Sequence, residues 1–228
     1  MFGLDDKIAS LGTGEAFALV ALIAVLLGLR HATDPDHLTA VTTLIAGDHG
    51  HDHRSARSLG WIWGLGHATT LFVFGLPIVL AKSYLPEPVQ QSAEAAVGVL
   101  IIGLAIRLLI RWRQGAFRDG PGHTHAHGRT PMQAYAIGLV HGMGGSAGVG
   151  VLLLAAIPDR AEAAVALALF AAFTAVSMAL ASSTFGYALT RPPVLRRFAT
   201  VAPLMGALSL TFGVWYSLGA LNAVPYLF

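Results

Sequence analysis

The sequence has no cysteine and only two lysines, Lys7 and Lys82, among 228 residues. Without thiols there are no disulfides, thiolate metal sites or cysteine nucleophiles. Neither lysine follows a glycine, so the phosphate-cradling loop of an ATPase is missing and the chain is not expected to hydrolyse ATP itself. Charge of either sign is scarce: 11% of residues are Asp, Glu, Lys or Arg against 55% hydrophobic, and the formal net charge is +2. A soluble domain carries about 25% charged residues, so this chain cannot cover a water-facing surface. The small net charge also argues against nucleic acid as a partner. An all-α integral membrane protein, with the lipid bilayer as its solvent, is expected.

Long apolar runs supply the spans. A crossing takes about 20 apolar residues. Six segments qualify, near 14–46, 59–81, 92–113, 131–157, 162–189 and 199–221, so residues 1–228 read as a single domain of six transmembrane helices. Between them, stretches such as "KSYLPEPVQQ", "IPDRAE" and "TRPPVLRR" carry the Pro and charge that break helices. The N-terminus is more acidic than basic and no small-residue cleavage site follows its apolar run, so a retained first span is expected, not a signal peptide. Arg54 and Arg57, then Arg113, Arg118 and Arg129, then Arg191, Arg196 and Arg197 gather on the first, third and fifth loops. The opposite side has Lys7, Lys82 and Arg160. Positive residues favour the inside. This predicts a multi-pass protein of a bacterial-type inner membrane, with both termini outside and histidine-rich loops 47–58 and 114–130 in the cytoplasm.

The first segment is too long for one straight helix, and it contains "RHATDPDH", residues 30–37. Ionisable groups inside a bilayer are costly and point to function. The histidines at membrane depth are His31, His37, His67 and His141. At ~1.5 Å per residue, His67, His37 and His141 lie roughly 12–15 Å from the cytoplasmic ends of their spans, and His31 roughly 22 Å. Three helices thus bring imidazoles to one layer. A lone histidine in a span is commonly a helix-to-helix hydrogen bond, but two histidines and two aspartates so close together need a cation or water to join them. Asp34 is three residues from both His31 and His37, on one helical face. Pro35 removes an N–H and clashes with the carbonyl of His31, whereas Asp34 followed by Pro35 makes a good helix start. The first helix is therefore expected to break or kink near residues 31–35, freeing backbone to line a site. Imidazole and carboxylate without thiolate suit Ni, Co, Zn or Fe, and spacing alone does not choose among them.

"RHATDPDH" resembles the R-H-A-x-D-A-D-H signature of the nickel/cobalt permeases, whose core is H-x4-D-H. His31, Asp36 and His37 occupy its defining positions and Asp34 the additional acidic one, while Pro35 stands where alanine is usual. "LGHATT" and "GLVHGMGGSAG" are similar to later histidine-bearing spans of that family and bring in His67 and His141. The permeases typically have eight spans and a later acidic motif not found here; six-span relatives of the urease-accessory type look nearer. The resemblance implies transport of Ni2+ or Co2+ as cargo, with no catalytic cofactor, through a site of His31, Asp34, Asp36, His37, His67 and His141. It also implies a metallochaperone or a urease or hydrogenase maturation protein as partner.

The strings "GLRH", "GLGH" and "GLVH" end at His31, His67 and His141. A glycine one turn before each imidazole would let a neighbouring helix come close. The first and fourth spans run in opposite directions and each holds one string, which raises an inverted 3+3 repeat with the site at its interface. The loop histidines His49, His51 and His53, and His123, His125 and His127, form tracts of a kind that bind metal weakly. Ser177, Ser182, Ser183 and Thr184 are expected to bond back to helix carbonyls. An intramembrane metalloenzyme would use similar ligands to activate water. Against it, there is no H-E-x-x-H string, and Glu15, Glu87, Glu94 and Glu162 fall at span ends or in loops, away from the histidines; no enzyme is expected. A non-transporting accessory protein that hands metal to a maturation partner is a further alternative.

Overall fold

A computed structural model of the chain describes residues 4–46, 53–82, 86–117, 129–144 and 147–225. Among the described residues every regular element is an α-helix: α1 (Leu4–His31), α2 (Pro35–Ala46), α3 (His53–Ala81), α4 (Glu87–Arg113), α5 (Pro131–His141), α6 (Ala147–Ala155), α7 (Arg160–Thr190) and α8 (Pro192–Ala220).

Local chemistry sets several of these starts. The Thr130 side chain accepts from Gln133 N while Gln133 Oε1 accepts from Thr130 N, and Pro131 follows in the first helical position of α5. Asp159 caps α7 by accepting from the amides of Ala161 and Glu162. α4 carries Glu87 in its first turn and Arg111 and Arg113 in its last, matching the helix dipole. Several helices begin earlier than the apolar runs. In particular, most of "TRPPVLRR" is helical, because prolines in a first turn give up amides that have no intrahelical partner there.

Four helices, α3, α4, α7 and α8, are long and apolar enough to cross a bilayer, and α1 and α2 together make a fifth candidate bent by 47°. The segment expected as one span over 131–157 instead forms α5 and α6, each too short to cross alone. Outward faces are apolar: Leu22 and Leu26 of α1, Phe72 and Val73 of α3, and Leu204 and Leu208 of α8 are all exposed. Lipid solvates such a surface and water does not. This is a multi-pass membrane protein.

α3 packs against both α7 and α5, α1 lies on α7, and α4 pairs with α8. Lipid tails are as apolar as leucine, so helix association here depends on close van der Waals contact rather than on escape from water. The three glycines that precede the membrane histidines provide it. A Cβ on Gly28 would lie 2.6 Å from the Phe170 carbonyl oxygen, one on Gly64 would lie 2.9 Å from Ala175 Cα, and one on Gly138 would lie 2.1 Å from the Trp63 oxygen. Two apolar clusters result, one containing Leu71, Val79, Leu167 and Phe170, the other Val41, Leu44, Trp63 and Met178.

Candidate metal centre

α1 ends at His31 and α2 begins at Pro35, as the proline dictates. In the break, Thr33 N donates to Arg30 O at 2.8 Å and Asp34 N to His31 O at 3.1 Å. The His31 carbonyl thus finds a tighter partner in place of the bond Pro35 cannot make. Leu38 N then donates to Asp34 O at 3.0 Å and helical pairing resumes. α5 also ends on a histidine, His141, so two helix C-termini, each with a partial negative charge, are directed at one region.

The four membrane histidines converge there. His37 is the hub, with ring centroids 4.4 Å from His31, 4.9 Å from His67 and 4.3 Å from His141. All four side chains are buried, as is Asp36. His31 Nε2 lies 3.1 Å from His67 Nε2. Asp36 Oδ1 is 3.2 Å from His37 Nδ1, and Asp36 Oδ2 is 3.4 Å from His141 Nε2. Two triplets, His31/His37/His67 and Asp36/His37/His141, each bring one donor atom per residue within 4.8 Å of the others. Three donors bound at about 2.1 Å to one ion lie about 3.4–3.6 Å apart, so closure by up to about an ångström, within reach of side-chain rotation, would bring each triplet onto an ion.

Among the described residues, Asp36 Oδ2, His37 Nε2, His67 Nδ1 and both nitrogens of His141 are buried without a hydrogen bond. Each such group costs about 1–3 kcal/mol when left unpaired. Neutral imidazoles and a carboxylate present lone pairs, and a borderline divalent metal can answer several at once. The donor set fits such an ion.

Asp34 belongs to neither triplet. Its Oδ1 accepts from Arg30 Nη2 at 2.9 Å and its Oδ2 sits 3.2 Å from His31 Nδ1. A carboxylate on one ring nitrogen fixes the tautomer and turns the other nitrogen toward its target, here His67. Phe170 lies 5.5 Å from His31, while Trp63 lies 6.0 Å from His37 and 5.5 Å from His141. The histidines are therefore held between the two apolar clusters. Trp63, one turn before His67, escaped sequence reasoning.

A cavity of about 560 Å³ adjoins the cluster, lined by His31, Asp34 and Asp36 and, from α4, by Glu87, Gln90 and Glu94. The expectation that no glutamate lies near the site is thereby corrected. Glu94 sits two turns into α4, buried, facing the space that Asp36 faces.

Ser177 donates to Thr174 O on its own helix, as expected, and also to Gly28 O on α1, both at 2.9 Å. Ser183 bonds back to Ala179 O and Thr184 is exposed. Ser182 departs from expectation. Among the described residues its buried hydroxyl has no hydrogen bond, and the residue packs against Gly60, where a Cβ would come within 2.5 Å of Ser182 Cβ. The loop residues His49, His51, His123, His125 and His127 lie outside the described residues, and His53 is described only as the first residue of α3.

No family model matches the chain, and no solved structure matches it. It is 26% identical over 209 residues to the urease accessory protein UreH of Bacillus sp. strain TB-90, covering 86% of this chain and 90% of that protein. It is also 35% identical over 86 residues to the nickel transporter NicT of Mycobacterium tuberculosis. That second likeness spans 37% of this chain and 23% of the transporter. Both likenesses, to a urease accessory protein and to a nickel transporter, agree with the resemblance of the "RHATDPDH" segment to the nickel/cobalt permeases.

Proposed function

We propose that this protein moves Ni2+ or Co2+ across the membrane through the buried cluster of His31, Asp36, His37, His67 and His141, with Asp34 orienting His31. One observation carries the proposal: His37 stands in two overlapping triplets of donor atoms contributed by α1, α2, α3 and α5. Imidazole and carboxylate suit these metals, and one relative is named a nickel transporter. An arriving ion would exchange water in the cavity for Asp36 and the imidazoles, and the wall of Trp63, Val41 and Leu44 would have to part before release.

In this account α5 and α6 form a second broken span, which brings the crossings to six within one domain of residues 1–228. Both broken spans end a helix on the histidine of a Gly-Leu-x-His string. α1 packs on α7 as α5 packs on α3, and α3 pairs with α7 as α4 pairs with α8. These reciprocal contacts support an inverted 3+3 repeat. Arginine placement supports termini outside a bacterial-type inner membrane, with His49, His51, His53, His123, His125 and His127 capturing metal in the cytoplasm.

Uptake of nickel and cobalt into proteoliposomes is the test. Wild-type protein should accumulate metal and His37→Ala should not; equal uptake by both would reject the assignment of His37. A second account, a non-transporting accessory protein that binds metal for a urease maturation partner, draws support from the relative named as a urease accessory protein, which is matched over 90% of its length. Purified chain that binds metal but moves none would favour it.

A further inference from the structure

The cavity beside the cluster brings together residues far apart in the chain: His31, Asp34 and Asp36 at the break between α1 and α2, and Glu87, Gln90 and Glu94 from the start of α4. Its charges do not cancel. Arg30 pairs with Asp34 at 2.9 Å. Among the described residues no arginine or lysine pairs with Asp36 or Glu94. Asp36 is 3% exposed and its Oδ2 makes no hydrogen bond; Glu94 is 7% exposed. Among the described residues the Glu94 carboxyl has one hydrogen-bond partner, the neutral Gln90 Nε2, which donates to Oε1 at 3.0 Å. Two buried carboxylates lining one largely apolar cavity, neither paired with an arginine or lysine among the described residues, form an expensive arrangement. A divalent ion balances two such charges.

Glu94 is also fixed in place. α4 meets the break between α5 and α6 backbone to backbone at this level, since a Cβ on Gly144 would lie 2.7 Å from Glu94 N. The backbone that bears Glu94 is thereby held against Gly144, three residues after His141. The Glu94 carboxylate belongs to neither donor triplet, so it is suited to hold an ion that still carries water. A hydrated divalent cation held by a carboxylate and amide oxygens keeps part of its shell, as hard oxygen ligands allow.

Granting the transport function proposed above, we infer that Glu94 is the capture residue of the permeation path. It holds the hydrated divalent ion in the cavity, opposite in charge and ahead of the step in which Asp36 and the imidazoles replace water. It selects for charge, while the histidines select for metal type.

The test is Glu94→Gln in proteoliposomes, with initial uptake of Co2+ measured against external concentration, alongside visible absorption of Co2+ bound to the detergent-purified protein. The variant keeps the shape and an oxygen for Gln90, and removes only the charge. Half-saturation should rise about tenfold, the maximal rate should hold within about twofold, and the absorption band of the histidine-bound ion should be unchanged. Added sodium should also inhibit the variant less than the wild type, because the charge it competes for and screens is gone. Unchanged half-saturation would overturn the inference, and so would loss of the cobalt band, which would make Glu94 a part of the cluster. If Glu94→Gln does not fold, Glu94→Asp decides: half-saturation should rise by about two- to fivefold, and a wild-type curve would overturn the inference. Should wild-type protein itself neither bind nor move cobalt, the transport proposal fails, an outcome distinct from a normal wild type with an unaffected Glu94→Gln.

Discussion

Replacing Gly138 by alanine adds one methyl group at the tightest contact of α5 with α3. The new Cβ would sit 2.1 Å from the Trp63 oxygen, 2.9 Å from His67 N and 3.0 Å from Gly66 Cα. All three are backbone atoms, so no side chain can swing aside. Ordinary contact begins at 3.4 Å, which leaves the pair about 1.3 Å short and forces the helices apart by a distance of that order. Overpacking of this kind costs about 1–3 kcal/mol, seen as a lower melting temperature in detergent. His141 is three residues further along the same helix and should move with it, away from Asp36 and His37. Metal bonds tolerate about 0.2 Å of error, so His141 should be lost as a donor and Co2+ affinity should fall about 10- to 100-fold, as when a ligand loses its support. Titration with Co2+ followed by visible absorption measures the effect. Gly103→Ala and Gly148→Ala are the controls, since a Cβ there meets nothing within 4 Å. Wild-type affinity and melting temperature in Gly138→Ala would refute the claim that this contact sets the site.

Other substitutions separate the roles around His37. Asp36→Asn keeps the shape but removes the charge between His37 and His141, and Co2+ affinity should drop by about 100-fold in a competition titration. Asp34→Asn weakens the hold on His31 without removing a donor, so the loss should be nearer tenfold, with melting unchanged. Trp63→Ala empties the largest fully buried side chain and should destabilise the protein by about 3–5 kcal/mol, measured by denaturant or thermal unfolding in micelles.

Much of the centre was legible because a bilayer turns sequence position into depth. Counting residues along each span aligned His37, His67 and His141, and the structure brings those rings together with His31. Pro35 announced the break in the first span by a local rule that needs no tertiary information. The glycines of the three Gly-Leu-x-His strings likewise lie at close helix approaches. Other features depend on which way a side chain faces, and counting cannot supply that. Glu94 falls near the start of an apolar run and by position reads as a span-end residue; α4 begins at Glu87 and places Glu94 on the cavity. Trp63 could have been an interfacial aromatic by composition, yet it is buried against His37 and His141. In the glycine-rich stretch after His141, glycine permits both close packing and a break in the helix. Gly142 and Gly144 do pack against neighbouring backbone, and α5 also stops there. The pairing of Asp34 with Arg30 followed the ordinary spacing of four residues, but its effect was to draw Asp34 away from the donor set.

X-ray absorption at the nickel edge, on purified protein whose six loop histidines are replaced by serine, tests the metal centre most directly. One nickel per chain is expected, with several imidazoles in its first shell, and His37→Ala should abolish that signal. A shell of water oxygens alone, or an imidazole signal that survives His37→Ala unchanged, would contradict a centre built around His37.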